Sequence, residues 1–223
     1  MTLSLAPGVS FCDVDGGRVF LDLNHDRYFS LGRVADPAFD ALVRGRGPSD
    51  AELHRLEALA DAGILVRDPF GEAPRACRVV RIERAPLDQD LAVDLRTMRV
   101  VRSAIAFRLA KSVYRRRGLP DVWQRFRREK DMRLSALRAG TPAELDELAY
   151  RFDAVARMVG ALNHCVPFSL AIAGACLASG LKANLVLGVK LAPFQAHAWA
   201  VAGHTLISDR LPTVSQFTPI AIA

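Results

Sequence analysis

The sequence predicts an α+β chain in two parts, on three observations. Short β-prone runs cluster before residue 67, well-capped helices fill the middle, and three further β-prone runs follow residue 182. The 223 residues are 51% hydrophobic and 24% charged, enough apolar material for a real core, which excludes a disordered chain. At roughly 150 residues per domain, this length suits one large domain or two small ones.

The first 67 residues read as a unit. VSFCDV (9–14), RVFLDL (18–23) and RYFSL (27–31) are strands separated by Asp-Gly-Gly and Asn-His-Asp turns. In the middle run Val19, Leu21 and Leu23 alternate with Asp22, giving one buried face. A helix is expected around 35–44. A second opens at Ser49, with Glu52 three residues later as a capping box. Leu53, Leu56, Leu59 and Ala60 recur at helical spacing, and Gly63 is placed to end that helix. ILV (64–66) returns to extended backbone. Three strands, two helices and a short final strand are the order of a winged helix. Residues 68–77, with two prolines and a glycine and little periodicity, predict a linker, and 78–223 a second domain.

Residues 96–138 carry fourteen Lys and Arg against Asp121, Glu129 and Asp131. Val101, Ile105, Leu109 and Val113, with Phe107 nearby, predict an amphipathic helix ending at Arg115-Arg116-Arg117-Gly118. Its charge reads as a solvated face rather than a nucleic-acid patch, and Trp123 and Phe126 as packing residues. Thr141, Pro142 and Glu144 predict the start of the next helix, whose inner face is Leu145, Leu148, Phe152, Val155 and Val159. From Met158 to Leu181 there is no charged residue. Asn163, His164, Pro167, Ser169 and Ser179 interrupt that stretch, so it reads as a buried helix and not a membrane span. The runs 183–190, 195–201 and 204–208 then predict an antiparallel sheet.

The formal charge of +6 suggests an anionic partner without naming one. Cys12, Cys77, Cys165 and Cys176 show no C-x-x-C spacing, so neither a metal site nor a disulfide framework is expected. The N-terminus has no basic region followed by an apolar stretch, and a reducing cytoplasmic location is expected.

One cysteine stands out. Proline inside a helix loses a hydrogen bond and clashes, so Pro167 must occupy the first turn of the apolar helix 166–179. Cys165 then sits at the helix N-terminus, where unpaired amides favour a thiolate and can donate to an oxyanion. Cys176, eleven residues on, reads as core. His197 shares a strand face with Trp199 and Val201, while His164 adjoins the cysteine but points elsewhere. A short turn at Ala202-Gly203 pairs the last two runs as a hairpin. Asp209 then reaches the imidazole if the register slips slightly; the alternative is an exposed aspartate beside Arg210.

Cys at the start of an apolar helix, then Ala-His-Ala-Trp on a strand, then an aspartate after the next strand, resembles the transglutaminase-like cysteine protease superfamily. More closely, NHCVPFSLAIAGACLASGLKANLVLGVKLAPFQAHAWAVAGHTLISD is similar to the B protein of lasso-peptide biosynthesis, with its Cys–Ser-Leu-Ala–small–Gly–Val–Phe–Ala-His-Ala-Trp–Asp pattern. GRVFLDLNHDRYFSLG resembles the leader-recognition element that precedes the protease in fused forms of that family. The resemblance implies a papain/transglutaminase-like protease domain with Cys165 as nucleophile, His197 as general base and Asp209 as orienter. It implies a precursor peptide as substrate and an asparagine-synthetase-like macrolactam synthetase as partner. The leader would add a strand at an edge such as 27–31, with Tyr28, Phe29, Leu31, Leu53 and Leu56 lining the groove. No cofactor is implied beyond the ATP dependence discussed for the family, and no Walker-type glycine loop is present. Relatives often continue Ala-His-Ala-Trp with Val-Glu, where this chain has Ala200 and Val201, which bears on fine specificity.

Two other readings remain. An amine acceptor in place of water would make the protein a transglutaminase-like acyl transferase. A winged-helix nucleic-acid binder is disfavoured by DAELHRLEALADA, whose acids outnumber its bases.

Overall fold

The computed structural model describes residues 2–32, 35–78, 81–160 and 164–223. It divides into two compact units, Met1–Arg78 and Val79–Ala223.

In the first unit, β2 (Val9–Val14), β3 (Gly17–Asp22) and β4 (Arg27–Phe29) form an antiparallel meander. Helices α1 (Asp36–Val43) and α2 (Asp50–Asp61) follow, and both halves of the Ser49–Glu52 capping box are made. Phe11, Phe20 and Phe39 meet at 5.0–5.5 Å between ring centres, packed with Leu56 and Leu65. Each such burial contributes about 1.5–3 kcal/mol. Two features depart from expectation. The N-terminus, where no strand is expected, forms β1 (Thr2–Leu5), which pairs antiparallel with β5 (Leu65–Asp68). The run expected as 27–31 ends as a strand at Phe29. The segment expected as a linker is held by this unit: Asp68 ends β5, and the Cys77 N–H donates to the Phe11 carbonyl.

The groove assignment needs one correction. Leu56 has no exposed surface and belongs to the core, so it cannot line a binding groove. Phe29 is half-buried, stacked 5.2 Å from Phe20 with the Arg27 guanidinium over its ring. Leu31 packs partly against the same core, Tyr28 is half-buried on the edge strand, and Leu53 is exposed.

The second unit is helices against a sheet. Helix α3 (Thr97–Arg133) runs in two segments, broken at Gly118, whose φ of 73° lies where side chains are disfavoured. Pro120 opens the second segment, which buries Leu119, Val122, Trp123 and Phe126. The first segment corrects the sequence reading. Ser103 and Phe107 face the core, while Val101, Ile105 and Leu109 face outward. Helix α4 (Pro142–Val159) begins with a complete Thr141–Glu144 capping box and ends at Gly160 in the left-handed region. Helix α5 (Cys165–Ala178) is apolar and mostly buried. Residues 161–163 of the uncharged stretch, Asn163 among them, lie outside the described residues.

Strands β6 (Asn184–Leu191), β7 (Phe194–Ala202), β8 (Thr205–Leu206) and β9 (Thr218–Ile222) form an antiparallel sheet ordered β8-β7-β6-β9. The run 204–208 thus keeps only two strand residues, and the unforeseen β9 covers the far edge of β6. A four-residue helix, α6 (Leu211–Val214), links β8 to β9. Among the described residues no helix is long and apolar enough to cross a membrane.

Candidate active site

Cys165 is the first residue of α5 and Pro167 lies within its first turn, where proline costs no intrahelical bond. One turn further along, the buried Ser169 hydroxyl donates to the Ala198 carbonyl at 2.9 Å. That bond clamps the start of α5 onto β7, directly beside His197. The imidazole sits opposite Gly188 of β6, 5.1 Å from the Phe217 ring and 6.1 Å from Trp199. The glycine is required there: a Cβ would stand 2.5 Å from the Trp199 ring.

Asp209 arrives by a route the strand pattern does not contain. The hairpin ladder continues through Ile207, whose N–H donates to the Ala200 carbonyl at 3.0 Å. The chain then leaves the ladder, and the Ser208 hydroxyl accepts the Ala200 N–H at 2.7 Å in place of a backbone partner. Past that point Asp209 Oδ2 stands 2.5 Å from His197 Nε2. Its other oxygen accepts the Arg210 N–H at 2.8 Å. Beyond it, the Arg210 guanidinium donates to the Leu87 carbonyl and the Leu211 N–H to Asp88 at 2.9 Å. Tyr150 of α4 hydrogen-bonds the Pro86 and Gln89 carbonyls, holding that turn in turn.

With Nε2 committed to Asp209, Nδ1 is the ring nitrogen left for the Cys165 sulfur, which lines the same cleft. Burial pushes the Cys165 thiol up, but the His197 hydrogen bond and charge, with the Ala198 and Val166 N–H groups, outweigh it and leave the pKa lowered. For His197, burial disfavours the cation. Hydrogen bonds and charge from Asp209 and Cys165 prevail and raise its pKa to about 9. Both shifts, the thiol down and the imidazole up, favour a thiolate–imidazolium pair over the neutral one. The other three thiols go the opposite way: burial pushes Cys12 and Cys176 up to about 12 and Cys77 to about 11.

The pair opens onto a cleft of about 190 Å³, walled by α4, α5, β7 and the 207–213 segment, with Asp153, Ser208 and Thr213 among its polar lining. The remaining histidines are occupied elsewhere or distant. His164 caps α5 but its Nε2 stands 2.7 Å from the Lys111 ammonium, and His25 pairs with Asp22 in the first unit. Three contributors were not singled out from the sequence: Ser208, Arg210 and the Tyr150-held turn. Ser208 directly precedes Asp209, the one available signal; the others act through contacts more than sixty residues away in the chain.

Chemically, this arrangement is a half-buried thiol of lowered pKa beside an imidazole of raised pKa, with a carboxylate fixing that ring. Among the described residues no group of three or more His, Cys, Asp or Glu could hold a metal ion. The family model described as the transglutaminase-like superfamily matches residues 107–222. No curated protein and no solved structure matches the chain.

Proposed function

The chain belongs to the transglutaminase-like superfamily, and from that premise we propose that it is a cysteine peptidase that removes the leader of a lasso-peptide precursor. The observation that carries this reading is the Cys165–His197–Asp209 line, with its 2.5 Å imidazole–carboxylate contact, all three residues lining one cleft.

The Cys165 thiolate attacks the carbonyl carbon of the leader–core bond, and first-turn amides of α5 are the nearest donors for the oxyanion that forms. His197 gives its proton to the core nitrogen as the carbon–nitrogen bond breaks, leaving the leader as a thioester on Cys165. The neutral ring then takes a proton from water, whose oxygen attacks the thioester. The leader leaves as a carboxylic acid and the ion pair is restored. With the ring protonated in the starting pair, His197 acts first as an acid and only in the second half as a base. Asp209 holds the ring's orientation and stabilises its charge throughout.

In the first unit, β4 stands last in the order β2-β3-β4, the position at which a leader strand would be added to the sheet. Tyr28, Phe29, Leu31 and Leu53 are the candidate liners. Holding the leader away from the scissile bond raises local substrate concentration and gives selectivity without broad proteolysis. The winged-helix-like character of this unit and its leader role belong to the same proposal. So does the partner: the released core amine suits an asparagine-synthetase-like macrolactam synthetase acting next.

The test is incubation with a precursor peptide, followed by mass analysis of the products. Free leader acid and core amine are expected, lost in Cys165→Ala while leader binding persists. Residual cleavage by folded Cys165→Ala protein would sink the nucleophile assignment. A labelled amine included in the reaction separates the alternatives, since its incorporation into the leader C-terminus would mark an acyl transferase.

A further inference from the structure

The first segment of α3 has two apolar faces, and the described residues of the second unit cover only one of them. Ser103 and Phe107 are 3% and 2% exposed, turned toward the core, where the Phe107 ring meets Phe168 of α5. At 3.6 residues per turn, Ile105 lies about 160° around the helix from both. It is 52% exposed, and Met98, Val101 and Leu109 beside it are 75%, 46% and 61% exposed. Four large apolar side chains thus run along the outer crest for three turns.

Charge frames that crest. From Thr97 to Gly118 there are seven Lys and Arg and no Asp or Glu. Arg102 flanks the stripe on one side, and Arg108 and Arg115 flank it on the other; all three are exposed. Arg116 and Arg117 extend the basic rim to the kink.

We propose that this outer face of α3 is a docking surface for an anionic lipid membrane, on which the protein lies peripherally. Two features favour lipid over a protein partner. The stripe is the convex crest of one helix rather than a groove between two, a shape that inserts into a compliant medium. Glu147 and Asp121 pair with Arg99 and Arg117, while the flank of Arg108, Arg115 and Arg116 presents cations complementary to a surface of anionic headgroups, whereas a protein partner would need acids spaced along that flank. The depth available is that of four side chains, enough to reach the headgroup–acyl boundary and no further. The proposal is independent of the peptidase reading, because the stripe points away from α5 and the cleft residues.

Flotation of the full chain with vesicles tests it. Phosphatidylcholine vesicles containing phosphatidylglycerol should carry at least about ten-fold more protein than phosphatidylcholine alone, with the excess falling as salt rises. Ile105→Asp should cut flotation at least about ten-fold, and the Arg108→Glu/Arg115→Glu pair should remove the preference for anionic lipid. Both substitutions are at exposed positions, so an unchanged thermal unfolding midpoint verifies the fold. The proposal is overturned if anionic vesicles carry no protein, if neutral ones carry as much, or if Ile105→Asp floats as the native chain does. A dimer dissolved by Ile105→Asp, with no flotation, would assign the stripe to a second copy instead.

Discussion

Cys165 and Cys176 occupy the same helix, eleven residues apart, yet the protein makes opposite use of them. Cys176 has no exposed surface, and burial raises its thiol to about 12 even though the Arg151 cation pulls it down. Cys165 is also mostly removed from water, but its pKa falls. The two differ in hydrogen bonding to the charged sulfur. Cys165 is lowered by hydrogen bonds from His197 and from the Ala198 and Val166 N–H groups; Cys176 has only the charge of Arg151 to oppose its burial. A nearby positive charge alone does not overcome desolvation, whereas hydrogen bonds to the thiolate do.

The largest expected effect separates these cysteines outright. Cys165→Ala should lower precursor cleavage by roughly four orders of magnitude or more, while Cys176→Ala should leave it within about two-fold. Initial rates of core-peptide release measure both.

Asp209→Asn comes next. Loss of the carboxylate should cost roughly 10² to 10⁴ in kcat/KM and also shift the pH profile. In the native protein the acid limb lies below the ordinary thiol range, where the thiolate takes up a proton. The alkaline limb should lie at about 9, where His197 loses its own. Removing Asp209 takes away the main influence raising His197, so the alkaline limb should move to lower pH. An unmoved limb would mean that another group sets it.

His197→Ala should make Cys165 behave like Cys176. Burial then acts without its counterweight, and alkylation of Cys165 by iodoacetamide at neutral pH should slow by about ten-fold or more. Mass mapping of the labelled cysteine reads this directly, and Cys176 should label only after unfolding in either protein.

The smallest effect probes the clamp between helix and strand. Ser169→Ala removes one buried hydrogen bond to Ala198 and should lower stability by about 1 kcal/mol, read as a shift in denaturant midpoint. Cleavage should drop more than stability predicts, because the bond also aligns Cys165 with His197.

Much of the site was legible in the linear chain. Pro167 placed the start of α5, and with it Cys165 at an amide-rich terminus. The Ala202-Gly203 turn brought β7 and β8 together, so His197 and Asp209 were expected within reach. Strands β1 and β9 escaped notice because their pairing partners are remote: Thr2 pairs with Asp68, and Ile222 with Val186. A strand stabilised by a distant neighbour carries little local signal.

Periodicity, proline placement and cap residues by themselves determined where α2, α4 and α5 begin and which thiol stands at a helix terminus. These are short-range effects, settled within one turn of backbone. Only the folded structure decided which side of α3 is covered, since spacing reveals an apolar stripe but not what packs against it. The tertiary fold likewise turned Nε2 of His197 toward Asp209, through a ladder that ends early at Ile207 and a serine that replaces the next backbone partner. Both outcomes depend on groups that approach from elsewhere in the chain, and burial and hydrogen bonding exist only once those groups have met.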